Sequence, residues 1–126
     1  MAEHTIDKAY VNWLLSTAYS YLAQNMASQA ITILELLNAL QPNNQQALRM
    51  LAYAYLMAER YQSVIEAAAN LERLIQVDDE QVAYLLLLRT RALWGLGKGE
   101  ESQAEFAKYM ESVSRFKPIS TQPNDR

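Results

Sequence analysis

The sequence predicts an all-α chain of repeated helix–turn–helix units, and two observations carry that prediction. The segment Ala18-Tyr19-Ser20-Tyr21-Leu22 returns as Ala52-Tyr53-Ala54-Tyr55-Leu56, a numbering offset of 34. Each copy is followed by a short polar break and a second apolar run. The 126 residues also hold only three glycines and three prolines, with no alternating β-branched runs. A strand-rich chain needs turn residues roughly every 8–12 positions, and these are lacking. The length fits one domain with a core of its own.

The first helix is expected from Thr5 or Ile6 to about Gln24, with Thr5 able to cap it and Asp7 complementing its dipole. Asn25 tolerates the left-handed conformation that ends a helix. The second helix runs from about Ala27 to Leu40 with Ile31, Leu34 and Leu37 on its apolar face, and Pro42 stops it. Asn43 or Asn44 caps the third, which continues to about Glu59. The fourth spans Tyr61 to about Gln76. Asp78 and Asp79 cap the fifth, which reaches roughly Leu96. Gly97-Lys98-Gly99 makes the next turn, Glu100 and Glu101 sit at the positive end of the sixth helix, and that helix ends near Ser114. Residues 117–126, with two prolines and mostly polar side chains, read as a disordered tail.

A self-match at this offset has the period of the tetratricopeptide repeat (TPR), whose helix pairs stack side by side. With Val11 and Gln45 as first positions, the small residue at position 8 is Ala18 and Ala52, and the tyrosine at position 11 is Tyr21 and Tyr55. Position 20 is Ala30 and Val64, and the helix-ending Pro42 corresponds to Gln76. Small residues belong at positions 8 and 20 because the paired helices cross closely there. A third unit fits with Leu85 first, giving Ala92 at position 8, Gly95 in place of the tyrosine and Ala104 at position 20. The offset from Gln45 to Leu85 is 40, so six residues are added somewhere between helices four and five. Lys108 and Glu111 then fall at usually apolar positions, as suits a last helix facing water. The expected architecture is three degenerate TPR units, about 11–44, 45–78 and 79–116, in a short right-handed solenoid with a concave groove. The TPR domain covers 1–116.

Composition narrows the function. A net charge of −3 argues against nucleic acid, which needs a clustered basic surface. The absence of cysteine removes disulfides, thiolate metal sites and thiol catalysis. No basic segment followed by an apolar one opens the chain, so a cytoplasmic location is expected. Residues 9–34 carry no charge, yet nine of these 26 positions are Asn, Gln, Ser or Thr, which favours two packed helices over a membrane span. Gly95-Leu96-Gly97-Lys98-Gly99 fits neither phosphate-loop template and follows a helix, so it reads as a turn. His4 is the only histidine, and Asp78-Asp79-Glu80 lacks the pattern of a calcium loop. The expectation is a chain with no catalytic, metal or cofactor site.

A stacked repeat instead offers a groove lined by the first helix of each unit. Positions 2, 5, 9, 12 and 13 give Asn12, Leu15, Tyr19, Leu22 and Ala23, then Gln46, Arg49, Tyr53, Leu56 and Met57. The third unit supplies Leu86, Arg89, Leu93 and Leu96, with Trp94 adjacent. TPR domains that hold a C-terminal carboxylate use Lys, Arg and Asn here; Tyr19 and Tyr53 replace that asparagine, which argues against a carboxylate clamp. From Ala47 to Tyr61 the only charges are Arg49, Glu59 and Arg60, so the third helix is apolar almost all round and must be covered on every side. An apolar groove is the first reading, holding an amphipathic helix or extended apolar segment with Arg49 and Arg89 pairing to acids at its edge. Core packing or self-association is the other. Tyr53→Glu or Leu56→Asp is expected to abolish binding and leave helicity unchanged.

Leu14-Leu15, the run from Gln29-Ala30-Ile31-Thr32-Ile33-Leu34-Glu35-Leu36-Leu37 through Leu40-Gln41-Pro42-Asn43, and the stretch from Leu88-Arg89-Thr90-Arg91-Ala92-Leu93 to Ser102-Gln103-Ala104-Glu105-Phe106-Ala107-Lys108-Tyr109 resemble the small TPR chaperones of bacterial type III secretion systems, the YscY type. The resemblance covers about residues 10–112. It implies a cytoplasmic, non-enzymatic chaperone that forms a heterodimer with a small secretion substrate or subunit, keeps it soluble and helps deliver it to the membrane export gate. Needle-subunit and translocator chaperones of the same systems stay open, as does a general TPR scaffold, co-chaperone or self-associating adaptor. From composition and the missing motifs, no cofactor, no nucleic-acid partner and no membrane insertion are expected.

Overall fold

Among the described residues six helices succeed one another: α1 (Lys8–Ala23), α2 (Ala27–Leu40), α3 (Gln45–Met57), α4 (Tyr61–Leu74), α5 (Asp79–Gly95) and α6 (Gly99–Phe116). The computed structural model describes residues 7–75 and 79–116, and among these there is no strand. None of these helices is long and apolar enough to cross a membrane. Expectations that rested on His4, Thr5, Gln76, Asp78 and residues 117–126 lie outside the described residues.

Side chains fix two of the starts. Asp7, not a residue before it, is the N-cap of α1, and its carboxylate accepts from the Ala9 N–H at 3.1 Å. Asn44 caps α3 by accepting from the Ala47 N–H at 3.0 Å, while its own amide donates to Gln41 at 2.9 Å. Each satisfies a backbone donor that the first helical turn leaves open.

Three turns repeat one hydrogen-bond pattern. Asn25 and Met26 donate to Leu22 and Tyr21, Glu59 and Arg60 to Leu56 and Tyr55, and Gly97 and Lys98 to Trp94 and Leu93. This double closure needs a left-handed residue just past the helix, and Asn25, Glu59 and Gly97 have φ of 63°, 60° and 81°. From Asn25 to Glu59 the offset is 34 (59 − 25), as the sequence repeat requires. From Glu59 to Gly97 it is 38 (97 − 59), not 40.

The expected alignment of the third unit is therefore wrong by two residues. The addition is four residues, not six. It is the difference between the 17 residues of α5 and the 13 of α3, because α2 and α4 are both 14 long. One extra helical turn at the start of α5 absorbs it. Val11 and Gln45 then correspond to Ala83, Tyr21 and Tyr55 to Leu93, and Gly95 to Ala23 and Met57.

Burial follows the turn-based alignment. Ala18, Ala30, Ala52 and Val64 are fully buried at the two crossings. Their third-unit counterparts are Thr90, half-buried, and Ser102, 4% exposed, whose hydroxyl donates to the Thr90 carbonyl at 2.8 Å. Ala104, the residue assigned to that crossing from sequence, is exposed. The small-residue rule holds, but a hydrogen-bonded serine fills it.

Consecutive helices pack on one another, and α1 also touches α3, and α3 touches α5. Among the described residues the even-numbered helices make no such contact with one another. The odd helices thus form a continuous row with the even ones splayed outside it. One apolar core runs through the row from Val11 to Ala92, with Leu34, Leu37, Leu48 and Leu71 fully enclosed. Enclosing each such side chain contributes about 1.5–3 kcal/mol.

Candidate functional site

Ten residues from four helices surround the main hollow, about 680 Å³. They are Tyr19, Leu22 and Ala23 of α1, Arg49, Met50 and Tyr53 of α3, Leu71 of α4, and Glu80, Gln81 and Tyr84 of α5. The hollow runs diagonally across the row of odd helices, from the end of α1 to the start of α5. The turn added to α5 supplies two of its walls, Glu80 and Gln81.

Its lining is mostly apolar, with an aromatic rim. Tyr19 and Tyr53 are 67% and 45% exposed, whereas Leu22 and Leu71 belong to the core and form the floor. The Tyr84 hydroxyl donates to the Arg49 carbonyl at 3.4 Å. Burial pushes the Tyr84 hydroxyl above its ordinary pKa; the Arg49 charge opposes this and Tyr53 adds to it. Tyr84 therefore stays protonated and remains a donor. Arg49 is half-buried and lines the hollow between Tyr53 and Tyr84.

A second cleft, about 600 Å³, opens between the α3–α4 turn and the α5–α6 hairpin. Leu56, Met57 and Tyr61 face Arg91, Trp94, Gly95 and Phe106 across it. Trp94, 68% exposed, stands at its mouth.

The sequence-derived groove residues divide among several places. Tyr19, Leu22, Ala23, Arg49 and Tyr53 meet at the main hollow, and Leu56 and Met57 line the second cleft. Leu15 borders a small recess with Tyr19, Gln46 and Met50 and is itself buried. Asn12 is exposed, Leu93 half-buried and Leu96 37% exposed, and none of them borders these hollows. Leu86 and Arg89 line a separate hollow beside α4 and α6, where Arg89 pairs with Glu72 at 2.6 Å. Arg89 is thus turned away from Arg49 and Tyr53, because the two-residue misalignment moved the expected groove positions around α5.

The corrected alignment places Tyr84, Leu87, Arg91, Trp94 and Gly95 at the groove positions of unit three. Tyr84 joins the main hollow, and Arg91, Trp94 and Gly95 join the cleft. Sequence reasoning missed Tyr84 because it aligned Ala92 and Ala104 with the alanines of earlier units. Aligning Gly97 with Asn25, two residues that accept positive φ, would have found it.

Leu56 also behaves differently from expectation. At 7% exposure it belongs to the core, and an aspartate there would bury a charge. Leu56→Asp would disrupt the fold before it reported on a surface.

No grouping of three or more His, Cys, Asp or Glu suited to a metal ion occurs among the described residues. No protein-family model matches the chain, and no curated protein matches it.

Proposed function

We propose that the chain is a TPR-like binding module of three degenerate units, acting as a chaperone for an apolar, helical segment of a small protein. The observation that carries this reading is the main hollow, where Tyr19, Tyr53 and Tyr84 ring a leucine floor around Arg49. Tyrosine brings a large apolar area with a polar tip and loses little conformational freedom on contact, which suits a protein-binding surface. A groove of odd helices with an apolar floor accepts one face of an amphipathic helix. Arg49 would pair with an acidic residue flanking that face.

The resemblance to small type III secretion chaperones supplies the class of partner: an exported substrate or subunit, held soluble in the bacterial cytoplasm and passed to the export gate. A general TPR scaffold or co-chaperone is the second reading, since the same hollow would serve it.

The test is co-purification from the native host with wild type and Tyr53→Glu. Tyr53 is 45% exposed, so its replacement should leave the helical circular dichroism unchanged. A small secreted or secretion-apparatus protein should accompany the wild type in a fixed ratio and be lost from Tyr53→Glu. Recovery of the same partner with both, or of no stoichiometric partner, removes the groove reading.

A further inference from the structure

The main hollow and the second cleft share two walls and differ in the order of their charges. Tyr53 and Met57 stand one turn apart on α3, and Tyr84, Leu87, Arg91 and Trp94 follow one another at steps of three and four on α5. Each set therefore lies on one face of its helix. The two helices touch. The main hollow takes Tyr53 with Tyr84, and the cleft takes Met57 with Arg91 and Trp94, so α3 and α5 run in the same sense along one seam. Leu87, half-buried, lies between the two hollows on α5.

Each of these hollows is lined by one arginine and one glutamate. In the main hollow Arg49 stands on the α3 side and Glu80 on the α5 side. In the cleft the signs are exchanged, with Glu59 just past α3 and Arg91 on α5. Along the α3 side a positive charge is thus followed ten residues later by a negative one (59 − 49). Along the α5 side a negative charge is followed eleven residues later by a positive one (91 − 80). Both intervals come to about three turns of an α-helix, or about 15–17 Å. A helix laid in the seam returns the same edge after three turns, so each of its edges meets both charges on its side.

On the groove reading proposed above, we infer that the occupant is a partner's amphipathic helix whose apolar stripe is edged by charges in crossed order. Beside α3 it carries an acid at the main hollow and a base three turns on; beside α5 it carries a base and then an acid. Charge complementarity selects this helix over one of a single sign, for which every attraction would be matched by a like-charge contact. A half-turn about the normal to the seam leaves the order of the four charges unchanged. They therefore fix the partner's charge order and not its direction.

Two synthetic peptides of about 18 residues, long enough to form helix, test the inference. Both carry a leucine stripe edged by two glutamates and two lysines, one in the crossed order and the other with every sign exchanged. In fluorescence anisotropy with the full-length chain, the crossed peptide should bind about tenfold tighter or more at low salt, since four weak pairs become four repulsions on exchange. The preference should fade in about 1 M salt. Glu59→Arg combined with Arg91→Glu, both at exposed positions, should keep the helicity and remove the preference. Binding of neither peptide, equal affinity for the two, a preference for the exchanged peptide, or a preference that survives the double substitution overturns the inference. Equal affinities that both fall in Tyr53→Glu would overturn the charge order alone and leave the groove reading standing.

Discussion

The ring of Tyr61, the first residue of α4, rests against the backbone of Gly95, the last residue of α5. A β-carbon on Gly95 would overlap the Cε and Cζ atoms of that ring. The contact joins the turn of one repeat to the helix of the next and closes the inner wall of the second cleft. Gly95→Ala should therefore destabilise the fold by about 1 kcal/mol, since overpacking costs about 1–3 kcal/mol and a better helix former returns about 1 kcal/mol. In a Tyr61→Ala background the same substitution should become neutral or stabilising. Urea denaturation of the four variants measures this coupling, and additive effects would show that the ring and the glycine are independent.

Glu59 holds the left-handed position that Asn25 and Gly97 hold in the other turns, with φ of 60°. A side chain with a β-carbon is strained there by about 1–2 kcal/mol. Glu59→Gly should raise stability by about 1 kcal/mol, after glycine's greater unfolded-state freedom is counted. Asn25→Gly should gain less, because asparagine tolerates this conformation. The denaturation midpoints of the two variants give the comparison.

Ser102 and Ala104 separate the two alignments of the third unit. Ser102 is buried at the α5–α6 crossing and donates to Thr90, whereas Ala104 is exposed. Ser102→Leu should cost about 1–3 kcal/mol by forcing the helices apart. Ala104→Leu should change stability by no more than about 0.5 kcal/mol. The reverse ranking in thermal melts would restore the alignment that places Ala104 at the crossing.

Tyr55 couples stability to alkaline pH. Partial burial, then the hydrogen bond to the Glu35 carboxylate and its charge, push the hydroxyl from 10 to about 12, against the lowering effect of Arg60. The folded-state pKa is raised, so this contribution is complete below about pH 10 and is lost as the pH climbs through about 12. Tyr55→Phe should lose the bond to Glu35 at neutral pH and show a shallower decline in urea midpoint across that window. An unchanged slope would mean that Tyr55 does not carry the dependence.

Much of the fold was legible because a repeat states its own spacing. The recurrence of Ala-Tyr-x-Tyr-Leu located α1 through α4, and Asn25 is left-handed as its chemistry suggested. Pro42 and Asn44 marked the stop of α2 and the start of α3. The third unit was misread because alanine is common in helices and carries little positional information. Ala92 is fully buried, but it corresponds to Ala54, which faces the preceding repeat, and not to the crossing at Ala52. Two of the three tyrosines around the main hollow, Tyr19 and Tyr53, were named from the repeat, while Tyr84 was hidden by the same misalignment.

The sequence by itself determined the helical class, the period and the pair of tyrosines that recurs with it, because each follows from local patterning and turn chemistry. Only the tertiary structure decided which residues share a hollow, that Arg89 turns to Glu72, that Leu56 belongs to the core, and that Phe106 lines the second cleft. Those outcomes depend on how far each helix is rotated about its axis. A single added helical turn at the start of α5 sets that rotation for everything after it, and nothing in the residues of that turn announces it.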